Sequence, residues 1–372
     1  MLNKNDILNL IKKYNLDNDE IKIISGAAMV LHGLKEKTND LDISVSLDMY
    51  NYLLDKYPCK LEKKDVFYID DVINFSYNYY DVDTIKYHNC NVQTVKSILE
   101  LKNNLNRDKD KLDISKILEN NNNNLELEFS GRGAMLYPSE GNTSCIFKDT
   151  FNTFIIDAGS DVATKLIADK TLDSDSEFYF LNTHTHCDHI GSIGIMIQYL
   201  YYKKNKILNI INDDNMLHLD KLLTILECMG IEKNQYRLIK SNTLTNKFSK
   251  FNDIKYKVSN HGDTPLDSSS IVIESNNGDI LYTGDIADTK VIENFINKSN
   301  NIDKIFVDVS LTKSPVHISL DDLKFIKDEL KSKIWAMHIN DKILEEKTKE
   351  LGFNIVKVKK SLLIKKSSAT NE

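Results

Sequence analysis

The chain has 372 residues, 41% of them hydrophobic, with a formal net charge of −7. That length suggests two domains, each able to bury a core, and the acidic balance (pI near 5.8) lacks the basic footprint of a general nucleic-acid binder. No apolar run reaches membrane-span length, the start Met1-Leu-Asn-Lys-Asn-Asp6 carries no secretory core, and five cysteines at irregular spacing suggest no disulfide framework, so a cytoplasmic protein with no membrane partner is expected.

In chain order, the first predicted elements are a strand over Ile21–Ser25, a tight turn at Gly26 and an apolar helix through Leu34. A strand over Thr38–Val45 follows. Its period-two alternation would put Asp40 and Asp42 on one face, where paired carboxylates can share a divalent cation. Leu101-Lys102, Arg107-Asp-Lys109-Asp110 and Asp113 then read as one helical segment. Together these features resemble the polymerase-β-like nucleotidyltransferases, in particular the small ones related to AbiEii-type toxins, over much of residues 1–120. The resemblance implies a smaller α+β domain. In it Gly26 and the helix N-terminus behind it would take a nucleotide phosphate, and Asp40 and Asp42 would be catalytic with magnesium.

The match has two departures. Ala27 stands where that family often has a phosphate-holding serine. A third carboxylate on an adjacent strand is also not evident: Asp71 opens the strand candidate Asp71–Ser76 but Asn74 sits within it, and Asp81 and Asp83 follow the run Tyr77–Tyr80 and read as loop. An active transferase and a nucleotide-sensing remnant both stay open. The polar run Asn120–Asn124 is the linker candidate, dividing a domain at 1–119 from one at 125–372.

The densest chemistry lies in that second domain, at Asn182-Thr183-His184-Thr185-His186-Cys187-Asp188-His189. Three imidazoles and a carboxylate in six positions suit zinc, manganese or iron better than magnesium or calcium. The apolar run Glu177–Leu181 before it reads as a buried strand, and Gly191 would open a helix after it. One loop cannot close a metal site, and further ligands stand at other strand ends: His261 after the run from Ile254, Asp285 after Ile280–Thr283, and His338 after Ile334–Met337.

These residues, in this order, resemble the metallo-β-lactamase-fold hydrolases over roughly residues 125 to 360. Phe154-Ile-Ile-Asp157-Ala-Gly159 is similar to that family's early strand and its Asp-x-Gly turn. The resemblance implies an α/β fold, an αββα sandwich holding two divalent ions, with zinc the first choice. His184, His186 and His261 would hold one ion, Asp188, His189 and His338 the other, and Asp285 would bridge them. Two such ions can acidify a shared water to around pH 7 or below and clamp the oxygens of a displacement at phosphorus. Asp157 would orient a ligand imidazole through its second nitrogen, and Cys187 would be a small filler.

Asp285, where lactam-cleaving relatives of one class use Cys, argues against a β-lactamase. His317 lies just before Ser319-Leu-Asp-Asp322, which reads as a helix N-cap with an acid at the third position. That placement resembles the branch of tRNA 3′-processing endonucleases and class II cyclic-nucleotide phosphodiesterases, where such a histidine donates to the phosphate or protonates the leaving oxygen. The alternative is a histidine satisfying a helix terminus. From His261 to Asp285 the chain has room for two strands and no substrate arm, and from Asp285 to His338 no room for a β-CASP cap. A small phosphodiester or nucleotide substrate is therefore expected over a folded RNA. The lysines at 357, 359, 360, 365 and 366 read as a solvated tail, and a homo-oligomer stays open.

Three readings follow: a two-metal phosphodiesterase in which Asp188 and His317 serve catalysis, a bifunctional nucleotidyltransferase and phosphodiesterase, or a nucleotide-binding sensor without catalysis.

Overall fold

The computed structural model describes residues 1–78, 81–121, 124–149, 152–262 and 266–359. The lysines at 360, 365 and 366 and the middle of the Asn run lie outside them. Internal contacts divide the chain into two units: residues 1–124 with 149–151 and 246–252, and the remainder.

The first unit opens with α1 (Lys4–Tyr14), β1 (Ile21–Ile23), α2 (Ser25–Leu31), β2 (Leu41–Val45) and α3 (Leu47–Lys56). Strands β3 (Cys59–Lys63), β4 (Val66–Ile69), β5 (Ile73–Ser76), β6 (Thr84–Tyr87) and β7 (Cys90–Gln93) follow, then α4 (Val95–Leu105) and α5 (Asp108–Asn121). The strands form one sheet in the order β3-β4-β5-β2-β1-β7-β6. Alternating Leu41, Ile43 and Val45 turn inward from β2, each at most 1% exposed, and set its register against Ile23 and Ile21 of antiparallel β1. Asn3 caps α1 by accepting from the Asp6 N–H, while the Asp6 side chain accepts from the Asn3 N–H.

Several boundaries depart from the sequence reading. Helix α2 ends at Leu31, because Gly33 turns left-handed (φ 74°). Strand β2 begins only at Leu41, so Asp40 precedes it and strand alternation cannot place it beside Asp42. Helix α5 runs on to Asn121, so the linker does not begin at Asn120. An Asn run carries no breaker, and nothing in it stops a helix that is already propagating.

The second unit holds two six-stranded sheets. The first comprises β8 (Glu128–Gly131), β9 (Ser144–Asp149), β10 (Asn152–Ile156), β11 (Glu177–Leu181), β12 (Leu208–Asn212) and β13 (Tyr236–Lys240), paired in that sequence. The second comprises β14 (Phe251–Ser259), β15 (Ser268–Ser275), β16 (Gly278–Tyr282), β17 (Ile302–Asp308), β18 (Ile334–Met337) and β19 (Asn354–Ile355). Fully apolar runs such as Phe154–Ile156 and Phe178–Leu181 are buried throughout, as strands covered on both faces must be.

The two sheets face each other. Phe129 of β8 packs on Tyr282 of β16 and Phe306 of β17, with ring centroids 6.4 and 5.2 Å apart. Among the helices are α6 (Val162–Ala168), α7 (Cys187–Ile190), α8 (Ile193–Gln198), α9 (Leu219–Cys228), α10 (Lys290–Lys298), α11 (Asp328–Lys331) and α12 (Lys342–Glu350). Ile292 and Phe295 of α10 and Leu344 of α12 bury against Val272, Leu281, Ile305 and Val307 on the second sheet. This is a two-sheet sandwich with helices outside, the α/β architecture expected of residues 125–372. No helix among the described residues is long and apolar enough to cross a membrane.

Candidate metal centre

Strands β10, β11 and β12 run parallel, and so do β16, β17 and β18. Their carboxyl ends therefore collect at one edge of each sheet. Asp157 follows β10, the His184–His189 loop follows β11, Asp285 follows β16, Asp308 ends β17 and His338 follows β18. His261 comes two residues after β14, which starts at Phe251, earlier than the Ile254 read from sequence.

All seven expected ligands converge. One ligand atom from each of His184, His186, His261 and Asp285 lies within 4.8 Å of the others, and the same holds for Asp188, His189, Asp285 and His338. Asp285 belongs to both groups, with Oδ1 3.3 Å from His189 Nε2 and Oδ2 3.8 Å from His184 Nε2 and 3.6 Å from His338 Nε2. A third group of Asp285, Asp308, His317 and His338 meets the same limit. Asp308 was not foreseen from sequence. Cys187 belongs to none of these groups and is exposed.

Gly191 does not open a helix. The turn is already wound at α7, inside the ligand cluster, with Gly191 at its end. Four residues are too few to show a helical period, so the glycine looked like the earliest break. Close backbone approach fixes this turn: a Cβ on Gly159 would stand 2.1 Å from the Asp188 carbonyl oxygen, and one on Gly284 2.6 Å from the Thr183 Cβ. Asp157 and His338 both adopt left-handed backbone (φ 59° and 58°), a strained state for such residues that gathers at functional sites.

Hydrogen bonds settle which imidazole nitrogens face the cluster. Asp157 Oδ2 lies 2.8 Å from His189 Nδ1, and a carboxylate can only accept, so Nδ1 carries the hydrogen and Nε2 is turned to Asp285. The Thr183 hydroxyl donates to the same Asp157 oxygen at 2.8 Å, leaving it to accept from His184 Nδ1 at 3.1 Å. His184 Nε2 thus keeps its lone pair for the cluster. Asp188 Oδ1 and His189 Nε2 are buried without a hydrogen-bond partner, as atoms waiting on a cation would be.

The protonation pattern fits the same reading. Burial, then neighbouring histidines, pushes His184 well below its ordinary value, and burial brings His261 down to about 4, so both stay neutral as metal ligands must. His189 and His338 lose by burial, but Asp285 and the other carboxylates outweigh it and raise both. A proton on either ring would balance carboxylate charge that a bound cation would otherwise meet. The donor set of imidazoles and carboxylates around a shared Asp285 could hold divalent cations.

His317 stands beside the cluster. Its Nδ1 is 2.8 Å from Asp308 Oδ2 and 3.9 Å from Asp285 Oδ2. Burial lowers its pKa, yet the hydrogen bond and charge of Asp308 prevail and bring it to about 9. Ser319 and Asp322 do form the capping box, but on a short 3₁₀ helix, Leu320–Phe325. The His317 ring is tied to Asp308, and not to that helix end.

In the first unit, Gly26 and Asp42 lie close, the Asp42 Oδ2 being 4.0 Å from where a Gly26 Cβ would stand. Burial, then Asp40, raises the Asp42 carboxyl to about 7. Asp40 accepts from the Tyr68 hydroxyl at 3.0 Å. Across parallel β5 the residue facing Asp42 is Asn74, and Asp71 is an exposed partner of Lys60. The two carboxylates join no group of three metal-capable side chains among the described residues.

A family model described as Anti-Pycsar protein Apyc1 matches residues 125–362, more than half of the chain. The chain belongs to the Anti-Pycsar protein Apyc1 family. The family match spans every expected ligand of the second unit, and it stops short of Asp40, Asp42 and Gly26. No curated protein matches the chain. Among solved structures, it is similar to the metallo-beta-lactamase fold protein YhfI from Bacillus subtilis, at 15% identity and a TM-score of 0.48, covering 63% of this chain and 95% of that one. Human tRNase Z, short form, is also similar at 15% identity and a TM-score of 0.42, covering 58% and 93%. A diphosphatase from the PhnP family matches at 15% identity and 0.45, covering 62% and 94%.

Proposed function

We propose that this member of the Anti-Pycsar protein Apyc1 family is a two-metal phosphodiesterase acting on a small nucleotide or similar phosphodiester. His184, His186 and His261 would hold one ion, Asp188, His189 and His338 the other, with Asp285 shared and zinc the first choice on donor chemistry. Bound there, the two cations would supply Lewis acidity toward a phosphoryl oxygen and an acidified water.

The observation that carries the reading is His317 held by Asp308 at 2.8 Å beside Asp285 and His338. With Nδ1 committed to Asp308, Nε2 is the nitrogen that can donate to a phosphate oxygen or give a proton to the departing alkoxide. Asp308 stabilises the imidazolium that must exist before that transfer. Thr183 and Asp157 keep His184 and His189 in the tautomers that turn Nε2 inward. A pure binding protein has no use for such a donor.

The first unit is read as nucleotidyltransferase-like, with magnesium and nucleotide near Gly26, Asp40 and Asp42. Asn74 opposite Asp42 favours binding over transfer in that unit, because a two-ion transfer wants a third carboxylate there.

The test is hydrolysis of cyclic nucleotides, dinucleotides and bis-p-nitrophenyl phosphate by protein whose metal content has been measured. Activity on at least one, abolished in Asp188→Ala and in His186→Ala, is expected. Protein loaded with two ions and inert on all three classes would overturn the reading.

A further inference from the structure

Asn182, the residue before the ligand loop, is completely buried and tied on three sides. Its side-chain amide donates to Asp157 Oδ1 at 3.1 Å and to the His184 carbonyl at 2.7 Å. Its backbone N–H donates to the Tyr256 hydroxyl oxygen at 3.3 Å, and its carbonyl lies 3.1 Å from His218 Nε2. A single residue therefore touches the carboxylate that orients His189, the backbone of His184, and two side chains far along the chain.

We infer that His218 and Tyr256 are positioning residues for the metal ligands, acting through Asn182. The inference rests on the two-metal reading above.

A carbonyl can only accept, so the hydrogen of His218 sits on Nε2. Nδ1 is then a bare lone pair, buried and without a hydrogen-bond partner. His218 is completely buried just before α9, and its ring reaches the Asn182 carbonyl through Nε2. The Tyr256 hydroxyl gives its own hydrogen to the Ile211 carbonyl at 3.0 Å, so its oxygen is the acceptor for Asn182. Tyr256 lies on β14, the strand that leads to His261, and its backbone N–H is fixed by Asp213 at 2.8 Å. Asn182 thereby couples the loop carrying His184 and His186 to the strand that leads to His261. Its bond to Asp157 extends the coupling to His189. A buried polar network of this kind has one low-energy arrangement when every member is held, and loses it when one is removed.

The alternative is a polar core that merely satisfies itself. Such a core would affect folding and leave the metal affinity of the folded protein alone. The experiment strips wild type, His218→Leu, His218→Gln and Tyr256→Phe of metal, then titrates each with zinc. Calorimetry reads affinity and stoichiometry, and thermal melts of the apo forms read stability. Wild type should bind two ions; if it does not, the two-metal reading fails and not this inference alone. His218→Leu and Tyr256→Phe should bind on the order of 10- to 100-fold more weakly, as loss of a ligand-orienting partner does. His218→Gln, whose amide N–H can reach the same carbonyl, should stay within a few-fold of wild type. Lower melting with wild-type zinc affinity in both His218→Leu and Tyr256→Phe would overturn the inference. If His218→Leu does not fold, Tyr256→Phe decides alone, and wild-type affinity there overturns it.

Discussion

Asp308 Oδ2 and His317 Nδ1 stand 2.8 Å apart, with the carboxylate fully buried and the imidazole at the edge of the metal cluster. On the proposed reading the pair stands beside the two ligand sets as a proton donor and not as a ligand. Removing the ring should therefore cost turnover and not metal. His317→Ala is expected to lower kcat on the order of 10²-fold with two ions retained. Asp308→Asn should act in the same direction, because an amide cannot stabilise the imidazolium as a carboxylate does. Turnover assays beside elemental analysis check both, and a lost ion in His317→Ala would move His317 into the ligand set.

Metal binding should release protons. In the cluster Asp285 and its carboxylate neighbours outweigh burial and raise His189 and His338, so protonated imidazoles are favoured there and a binding cation would displace protons. Zinc affinity should accordingly fall as pH drops from 8 to 6. Calorimetric titrations in two buffers of different ionisation enthalpy will show the release as a buffer-dependent heat. Equal heats in both would mean those imidazoles were already neutral.

Much of this site is legible in the sequence, and what is not has physical reasons. His184, His186, Asp188 and His189 are dense enough to stand out, and His261, Asp285 and His338 each follow a recognisable apolar run. Asp308 also ends a strand, yet an acid there is equally what a turn wants, and only its contact with His317 tells the two apart. His218 is a lone histidine after a polar stretch, with nothing local to show that it is buried. Leu41, Ile43 and Val45 alternate without marking where pairing starts, so in sequence Asp40 reads as part of the strand that begins at Leu41. Neither Asp71 nor the loop acids Asp81 and Asp83 reads as a third carboxylate, and the sheet register puts Asn74 opposite Asp42.

Gly159 should tolerate no side chain. A Cβ there meets the Asp188 carbonyl at 2.1 Å and the Asn142 Cβ at 2.4 Å, and the first of these is backbone that cannot rotate away. Gly159→Ala must push the α7 turn outward, carrying Asp188 and His189 with it. We expect a loss of about 3 kcal/mol or more together with weakened metal binding. Thermal melts with and without zinc test this: the zinc-dependent rise in Tm should shrink in the variant, and an undiminished rise would show that the turn can absorb the methyl.

The first unit should be acid-sensitive through His32. This ring is 5% exposed, with Nε2 2.8 Å from the Gln93 carbonyl. Burial lowers its pKa to about 4, more than that one hydrogen bond restores. The unfolded chain takes up a proton near 6.5, while the folded chain resists until about 4. At this group the unfolded state therefore binds more protons over that window, and the His32 contribution to stability falls with pH across it. The contribution is fully present above 6.5 and is lost as pH falls through 4, amounting to about 3 kcal/mol at the lower end. Asp110, brought to about 2 by Arg107 and Lys102 against its own burial, adds loss only at lower pH, so the two are separable. Asp42, raised to about 7, takes up its proton in the folded state over the same window and opposes the loss, so urea melts at pH 7 and pH 5 are compared between wild type and a variant that leaves Asp42 in place. His32→Gln keeps a donor for the Gln93 carbonyl but cannot titrate, and it should lose measurably less. Equal losses in the two proteins would mean that His32 already shares its proton with solvent and plays no part in the acid response.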